Sequence, residues 1–267
     1  MPLHAVRPEP LRDMLRRGSL KLPCGPSRVN LCYDIRCNLS CPGCRRSALH
    51  VGKRTLGRIR QIESHLRRAI GPGVGEMTIG GYGDPFGSPS YLSLLQDLSR
   101  REFPRLHTLR LHTNAQLWDA AMWDSMPFAR TLVKSAEISI DAATPATYTL
   151  NRRGGDFNRL FRNMLFIQGL GLRVTLSFVV QQNNYREMPG FVALGQRFGF
   201  DVYFSRLVNW GTFTAKEYAG RAVHLPHHPE HDAFVATLGP LAGIPGVDIG
   251  NLRPLAGSPS TVSENPG

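Results

Sequence analysis

Tyr33-Asp34-Ile35-Arg36-Cys37-Asn38-Leu39-Ser40-Cys41-Pro42-Gly43-Cys44 is the stretch on which the reading of this chain turns. Its Cys-x3-Cys-x2-Cys run puts three thiols on one short loop, with no fourth cysteine beside them. Three soft sulfur ligands suit an iron–sulfur cluster better than a hard cation. A tetrahedral zinc site wants a fourth ligand, usually from a second Cys or His pair at a defined spacing. Three ligands on a four-iron cluster leave one iron open, and an open metal position is where chemistry takes place. Disulfides fit poorly, because the five cysteines are odd in number and all lie before residue 45. Reduced thiols argue for a cytoplasmic protein.

The surrounding sequence supplies a sheet for this loop. Val29, Leu31 and Tyr33 alternate with Asn30, Cys32 and Asp34, the period of a strand that feeds into the cysteines. Leu56, Ile59, Ile62, Leu66 and Ile70 recur at helical spacing, and Gly71-Pro72-Gly73 ends that helix. Further strands are expected at 76–79, 106–112, 136–140, 174–180 and from 202. Helices are expected over 89–101, 117–126, 157–170, 188–198 and 229–238. Six strands alternating with helices predict an α/β fold with a parallel sheet. The domain reading is a lead-in over 1–27 with a short basic helix from Pro10 to Arg17, a core over 28–222, a helical or extended segment over 223–253, and a small, polar, disordered tail over 254–267.

The 267 residues suffice for one domain with a sizeable core, and no apolar run approaches the length of a membrane span. Residues 1–10 lack a signal-peptide stretch. Net charge is +12, from 32 Lys and Arg against 20 Asp and Glu. The basic residues are dispersed, with no block of five, so no nucleic-acid tail is indicated. The excess is either a solvated basic surface or a preference for an anionic substrate or partner.

In parallel α/β sheets, ligands collect at the carboxyl ends of the strands. The polar candidates fall there: Gly80-Gly81-Tyr82-Gly83-Asp84-Pro85 after the second strand, Thr113 and Asn114 after the third, Ser139 and Asp141 after the fourth, then Arg152-Arg153-Gly154-Gly155. Taken singly, the glycines read equally as a tight turn, and the Thr, Asn and Asp residues as helix caps.

With Asn38-Leu39 after the first cysteine and Pro42 after the second, the loop resembles that of the radical S-adenosylmethionine (SAM) enzymes, and the strand-end motifs resemble theirs too. The likeness runs from about Leu31 to Asn251. It implies a partial (β/α)6 barrel, a [4Fe–4S] cluster on Cys37, Cys41 and Cys44, and SAM on the open iron. It further implies that Gly80, Gly81, Gly83 and Asp84 hold the SAM amino group. Thr113, Asn114, Ser139 and Asp141 would face the ribose, and Arg153, in preference to Arg152, the carboxylate. Most such loops carry an aromatic residue before the last cysteine; this one has Gly43. Adenine is therefore expected against Val179, Gln181 and Leu207. Cys41-Pro42-Gly43-Cys44-Arg45, with Ser139–Ala142, Arg152–Gly155 and Phe204–Gly211, resembles the SPASM and twitch-related subgroup, whose members usually carry auxiliary clusters. No cysteine follows Cys44, so none can be held by this chain's own thiolates.

That family reading implies reductive cleavage of SAM to a 5′-deoxyadenosyl radical, which takes hydrogen from a sugar-like or natural-product metabolite in a dehydrogenation, epimerisation or rearrangement. It also implies a reductase, flavodoxin or ferredoxin as electron donor. Tyr82, Arg206, Asn209 and Trp210 are candidate substrate contacts by position and polarity. Cys32 reads as a buried, inert thiol or as a hydrogen donor, and Cys24 has no evident role. His224, His227, His228 and His231 read as a loop or helix start rather than a metal site, because Pro229 breaks the ligand spacing. The competing functions are modification of a ribosomally made peptide, a zinc-bearing nucleic-acid-binding module, and an iron–sulfur scaffold without catalysis.

Overall fold

Seven segments pair into one sheet: β1 (Arg28–Leu31), β2 (Glu76–Gly80), β3 (Thr108–Thr113), β4 (Val133–Ser139), β5 (Arg173–Val180), β6 (Asp201–Arg206) and β7 (Val247–Asp248). All pairings are parallel, and the spatial order is the chain order. The computed structural model describes residues 25–47, 49 and 51–257, together with 13 and 16–18. Cys24 and most of the expected helix over 10–17 lie outside the described residues. Parallel neighbours need crossovers. These are α1 (Lys53–His65), α2 (Pro89–Gln96), α3 (Ala120–Asp124), α4 (Ala129–Leu132), α5 (Pro145–Asn151), α6 (Phe157–Gln168), α7 (Met188–Phe198), α8 (Ala215–Arg221) and α9 (His231–Leu238). Among the described residues β1 and β7 do not pair with each other, so the barrel is partial.

Two departures from the sequence reading have local causes. The seventh strand lies outside the expected 28–222 core, and at two residues it is too short to show a period. The expected tail boundary at 254 falls inside a 3₁₀ turn, Gly250–Leu255, anchored by buried Leu252. Helix starts are better marked: Ser88, Asp119, Thr144 and Asp156 each accept a first-turn backbone N–H, and Thr214 with Glu217 forms a capping box.

The core lies between the sheet and its helices. Met77, Ile79, Leu109, Leu111, Ile138, Leu176, Phe178, Val202 and Phe204 are buried on the outer face. Phe178 packs against Phe191 of α7 and Phe204 at ring-centroid distances of 4.8 and 5.4 Å. The alternate positions form the inner face, and they are polar: Thr78, Arg110, His112, Ser135, Glu137, Ser139, Thr175 and Tyr203 are all partly exposed. One alternation therefore builds a hydrophobic core on one side and a wettable chamber on the other.

Candidate active site

The loop after β1 is fastened by a buried carboxylate. Asp34 accepts from Arg36 Nη2 at 2.6 Å, from Arg36 Nε at 3.0 Å, from the Arg36 backbone N–H and from the Ser88 hydroxyl. Burial acts to raise its pKa, but the hydrogen bonds from Arg36 and Ser88 outweigh it and hold the carboxyl below its ordinary value. From the far side, Arg153 donates to the Ser40 carbonyl at 3.0 Å and the Arg46 carbonyl at 2.9 Å, while its own carbonyl accepts from Ser40 N–H. The loop is held at both ends before any ligand is considered.

Cys37, Cys41 and Cys44 line one cavity of about 70 Å³ at the C-terminal ends of β1–β4. Each sulfur meets a donor. Cys37 Sγ accepts from Leu39 N–H at 3.4 Å and Asn114 Nδ2 at 3.5 Å. Cys41 meets Arg152 Nη1 at 3.8 Å, and Cys44 meets Arg45 Nη2 at 3.3 Å. Burial pushes the Cys37 thiol up to about 11, with the nearby Asp84 charge adding to it, and burial also raises Cys41. A thiolate here needs compensating positive charge, which metal and guanidinium can supply. Among the described residues no three Cys, His, Asp or Glu side chains gather for a single metal ion. Three soft sulfur donors lining one cavity are the donor set that a multi-iron cluster takes. Arg152 Nε is buried without a partner, a donor suited to an anionic ligand in the same cavity.

The glycine element is dictated by close backbone approach. Gly80 has φ +111°, and a Cβ there would lie 2.1 Å from the His112 carbonyl oxygen; at Gly83 it would lie 2.2 Å from that of Asp34. Asp84 lines the cavity, and its carboxylate is engaged within the protein. Its Oδ1 accepts from Phe86 and Gly87 N–H, and its Oδ2 from the Thr113 hydroxyl and Asn114 N–H, all at 2.8–3.0 Å. Four bonds fill a carboxylate's acceptor sites, so Asp84 ties the glycine loop to β3.

Arg152 rather than Arg153 enters the cavity. Arg153 has its donors on the cysteine loop, whereas Arg152 pairs with Asp141 at 2.8 Å and reaches Cys41. The glycines after them have different causes: a Cβ at Gly155 would lie 2.8 Å from the Tyr148 hydroxyl oxygen, whereas Gly154 takes φ +93°. Asp141 has left-handed backbone, φ +60°, and its carboxylate also accepts from Val179 N–H at 2.7 Å. Strand alternation thus ends before it, and Ser139 lines the cavity while Asp141 does not.

Other expected residues are dispersed. Tyr82 lines the cavity, and Leu207 is buried 3.8 Å from where a Gly43 Cβ would lie. Gln181 instead accepts from Arg221. Asn209 holds its own loop together through Gly211 N–H and the Phe213 backbone. Trp210 is 69% exposed on that loop, which joins the cysteine loop through Thr212 and Arg46. Arg206 is exposed at the end of β6. Cys32, expected to be buried, is exposed: β1 is an edge strand, so its inner side chains have a neighbour strand on one side only. Its thiol donates to the Gly80 carbonyl at 3.2 Å, and it does not line the cysteine cavity. His228 and His231 bond backbone carbonyls of their own segment, Gly220 and Val223.

Sequence reasoning missed His112. Its Nε2 lies 3.2 Å from both Ser139 Oγ and Glu137 Oε1. It borders the cysteine cavity and also a second cavity of about 280 Å³ on the inner face, lined by Thr78, Arg110, Glu137, Arg173 and Thr175. The available signal was Arg110-x-His112-x-Asn114 and Ser135-x-Glu137-x-Ser139, polar residues at every second position of two strands.

A family model described as the radical SAM superfamily matches residues 35–194, from the cysteine loop into α7. The chain belongs to the radical SAM superfamily. This is a superfamily of enzymes whose cofactors are a [4Fe–4S] cluster and SAM, and the zinc-module reading falls with the assignment. GTP 3′,8-cyclase of Caulobacter vibrioides is 25% identical over 170 residues, 62% of this chain and 48% of that protein. The chain thus spans about half the length of that curated relative.

Solved structures agree on the fold. SuiB of Streptococcus suis bound to SAM superimposes with a TM-score of 0.53 at 15% identity, over 78% of this chain and 45% of that one. anSMEcpe with bound AdoMet and the Kp18Cys peptide gives 0.51 at 17%, over 72% and 57%. In this chain Leu207, on the loop after β6, takes the space beside Gly43.

Proposed function

We propose that this radical SAM enzyme binds its cluster through Cys37, Cys41 and Cys44 and acts on a small, polar, sugar-like or anionic metabolite held on the inner face of the barrel. The observation that carries the reading is the shared wall at His112: the cavity that takes the cofactors abuts a chamber lined by Arg110, Glu137, Arg173 and Thr175. When bound, the cluster and SAM supply a 5′-deoxyadenosyl radical able to abstract hydrogen from an unactivated carbon. This chain's own residues bind and orient. Arg152 offers its unpartnered Nε to the SAM carboxylate, the glycine carbonyls take the ammonium, and Ser139 meets the ribose. His112 and Glu137 fix the substrate hydroxyls on the chamber side. A separate protein of the flavodoxin, ferredoxin or reductase class supplies the electron.

The test uses a metabolite extract of the native host grown in deuterated medium, separated into a fraction below about 1 kDa and a peptide fraction. Deuterium in 5′-deoxyadenosine with the small-molecule fraction supports the metabolite reading. Transfer confined to the peptide fraction replaces it with peptide modification.

A further inference from the structure

Two guanidiniums stand on two of the three cysteine sulfurs, and their surroundings differ. Arg45 is 5% exposed and anchored by carbonyls alone, Ile35 O through Nη1 and Tyr82 O through Nη2, each at 3.0 Å. No carboxylate among the described residues forms an ion pair with it. Its Nη2 lies 3.3 Å from Cys44 Sγ. Arg152 sits on Cys41, but Asp141 holds its other nitrogen at 2.8 Å and offsets its charge. Cys37 has no guanidinium on it: it accepts from two neutral N–H groups and faces the Asn38 side-chain oxygen at 3.8 Å.

Reduction adds one negative charge to a cluster, so fixed positive charge and hydrogen bonds at its sulfurs favour the reduced form. We propose that Arg45 and Arg152 set the reduction potential of the cluster, Arg45 with its full charge and Arg152 with a charge that Asp141 partly cancels. This rests on the cluster assignment above. It gives Arg45, to which the sequence assigned no role, a tuning function, and it gives Asp141 the opposite sign from its neighbour.

The experiment is an EPR-monitored redox titration of anaerobically reconstituted protein, without SAM, with iron measured on every sample. Arg45→Gln is expected to lower the equilibrium constant for reduction by about tenfold or more, about 59 mV for a one-electron couple. Arg152→Gln lowers it by less, Arg45→Lys stays near wild type, and Asp141→Asn moves the potential upward. Asn keeps an acceptor for Val179 N–H, so Asp141→Asn preserves the local fold and decides by its sign if the arginine variants fail to load iron. Fully loaded Arg45→Gln at the wild-type potential, or Asp141→Asn shifted downward, overturns the proposal. A wild-type protein without a reducible four-iron signal overturns the cluster assignment instead.

Discussion

The two faces of the sheet are made by the same strands and behave as different materials. On the outer face Phe178, with no exposed surface, packs between Phe191 and Phe204. One residue before it, Ser177 donates to Ser139 on the inner face at 3.2 Å, beside Thr175 and Glu137 in the chamber. A filled barrel would bury both sets. In this partial barrel, stability resides on the outside and chemistry on the inside.

Substitutions can break that division. Phe178→Ala is expected to cost about 3–5 kcal/mol, because it leaves a cavity in the aromatic cluster, and thermal or denaturant unfolding would show it. Asp84→Asn, at the rim between core and chamber, removes the acceptor for two of the four bonds and the charge behind the other two, and is expected to cost about 2 kcal/mol, together with a loss of bound iron after reconstitution. Glu137→Gln, inside the chamber, is expected to stay within about 0.5 kcal/mol of wild type while lowering deuterium transfer from the small-molecule fraction. A Glu137 variant as destabilised as the Phe178 variant would mean that the inner face is core after all.

The smallest effect concerns His224, buried with Nδ1 unpartnered. Burial first, then the Arg206 and His231 charges, push its pKa down from 6.5 to about 4. Between these values the unfolded chain binds more protons than the native one, so stability falls as pH drops through this window. His224→Gln should flatten that part of the stability–pH curve.

The same contrast explains what could be read from sequence. Outer-face runs such as Val174-Thr175-Leu176-Ser177-Phe178 carry their burial in composition, and six of seven strands were legible from them. The cysteine triad was legible because spacing on one loop is local. The division of labour between Arg152 and Arg153 was not: adjacent identical residues differ only by which way the backbone sends them, and the helix ends at its C-cap Arg152, with φ −118° and ψ 57°. Asp84 looked like a ligand because its four bonding partners come from β3 and its own loop, a closure that local sequence does not show. His112 and Glu137 matter through pairing in register across β3 and β4, which only the folded sheet reveals.

The most direct test is anaerobic incubation of reconstituted protein with SAM and dithionite, wild type beside Cys41→Ser, with iron and 5′-deoxyadenosine both quantified. Wild type is expected to hold about four irons and to form 5′-deoxyadenosine, and Cys41→Ser to lose both. Wild-type protein that carries its iron yet releases no 5′-deoxyadenosine, or a Cys41→Ser variant that still releases it, would contradict the account.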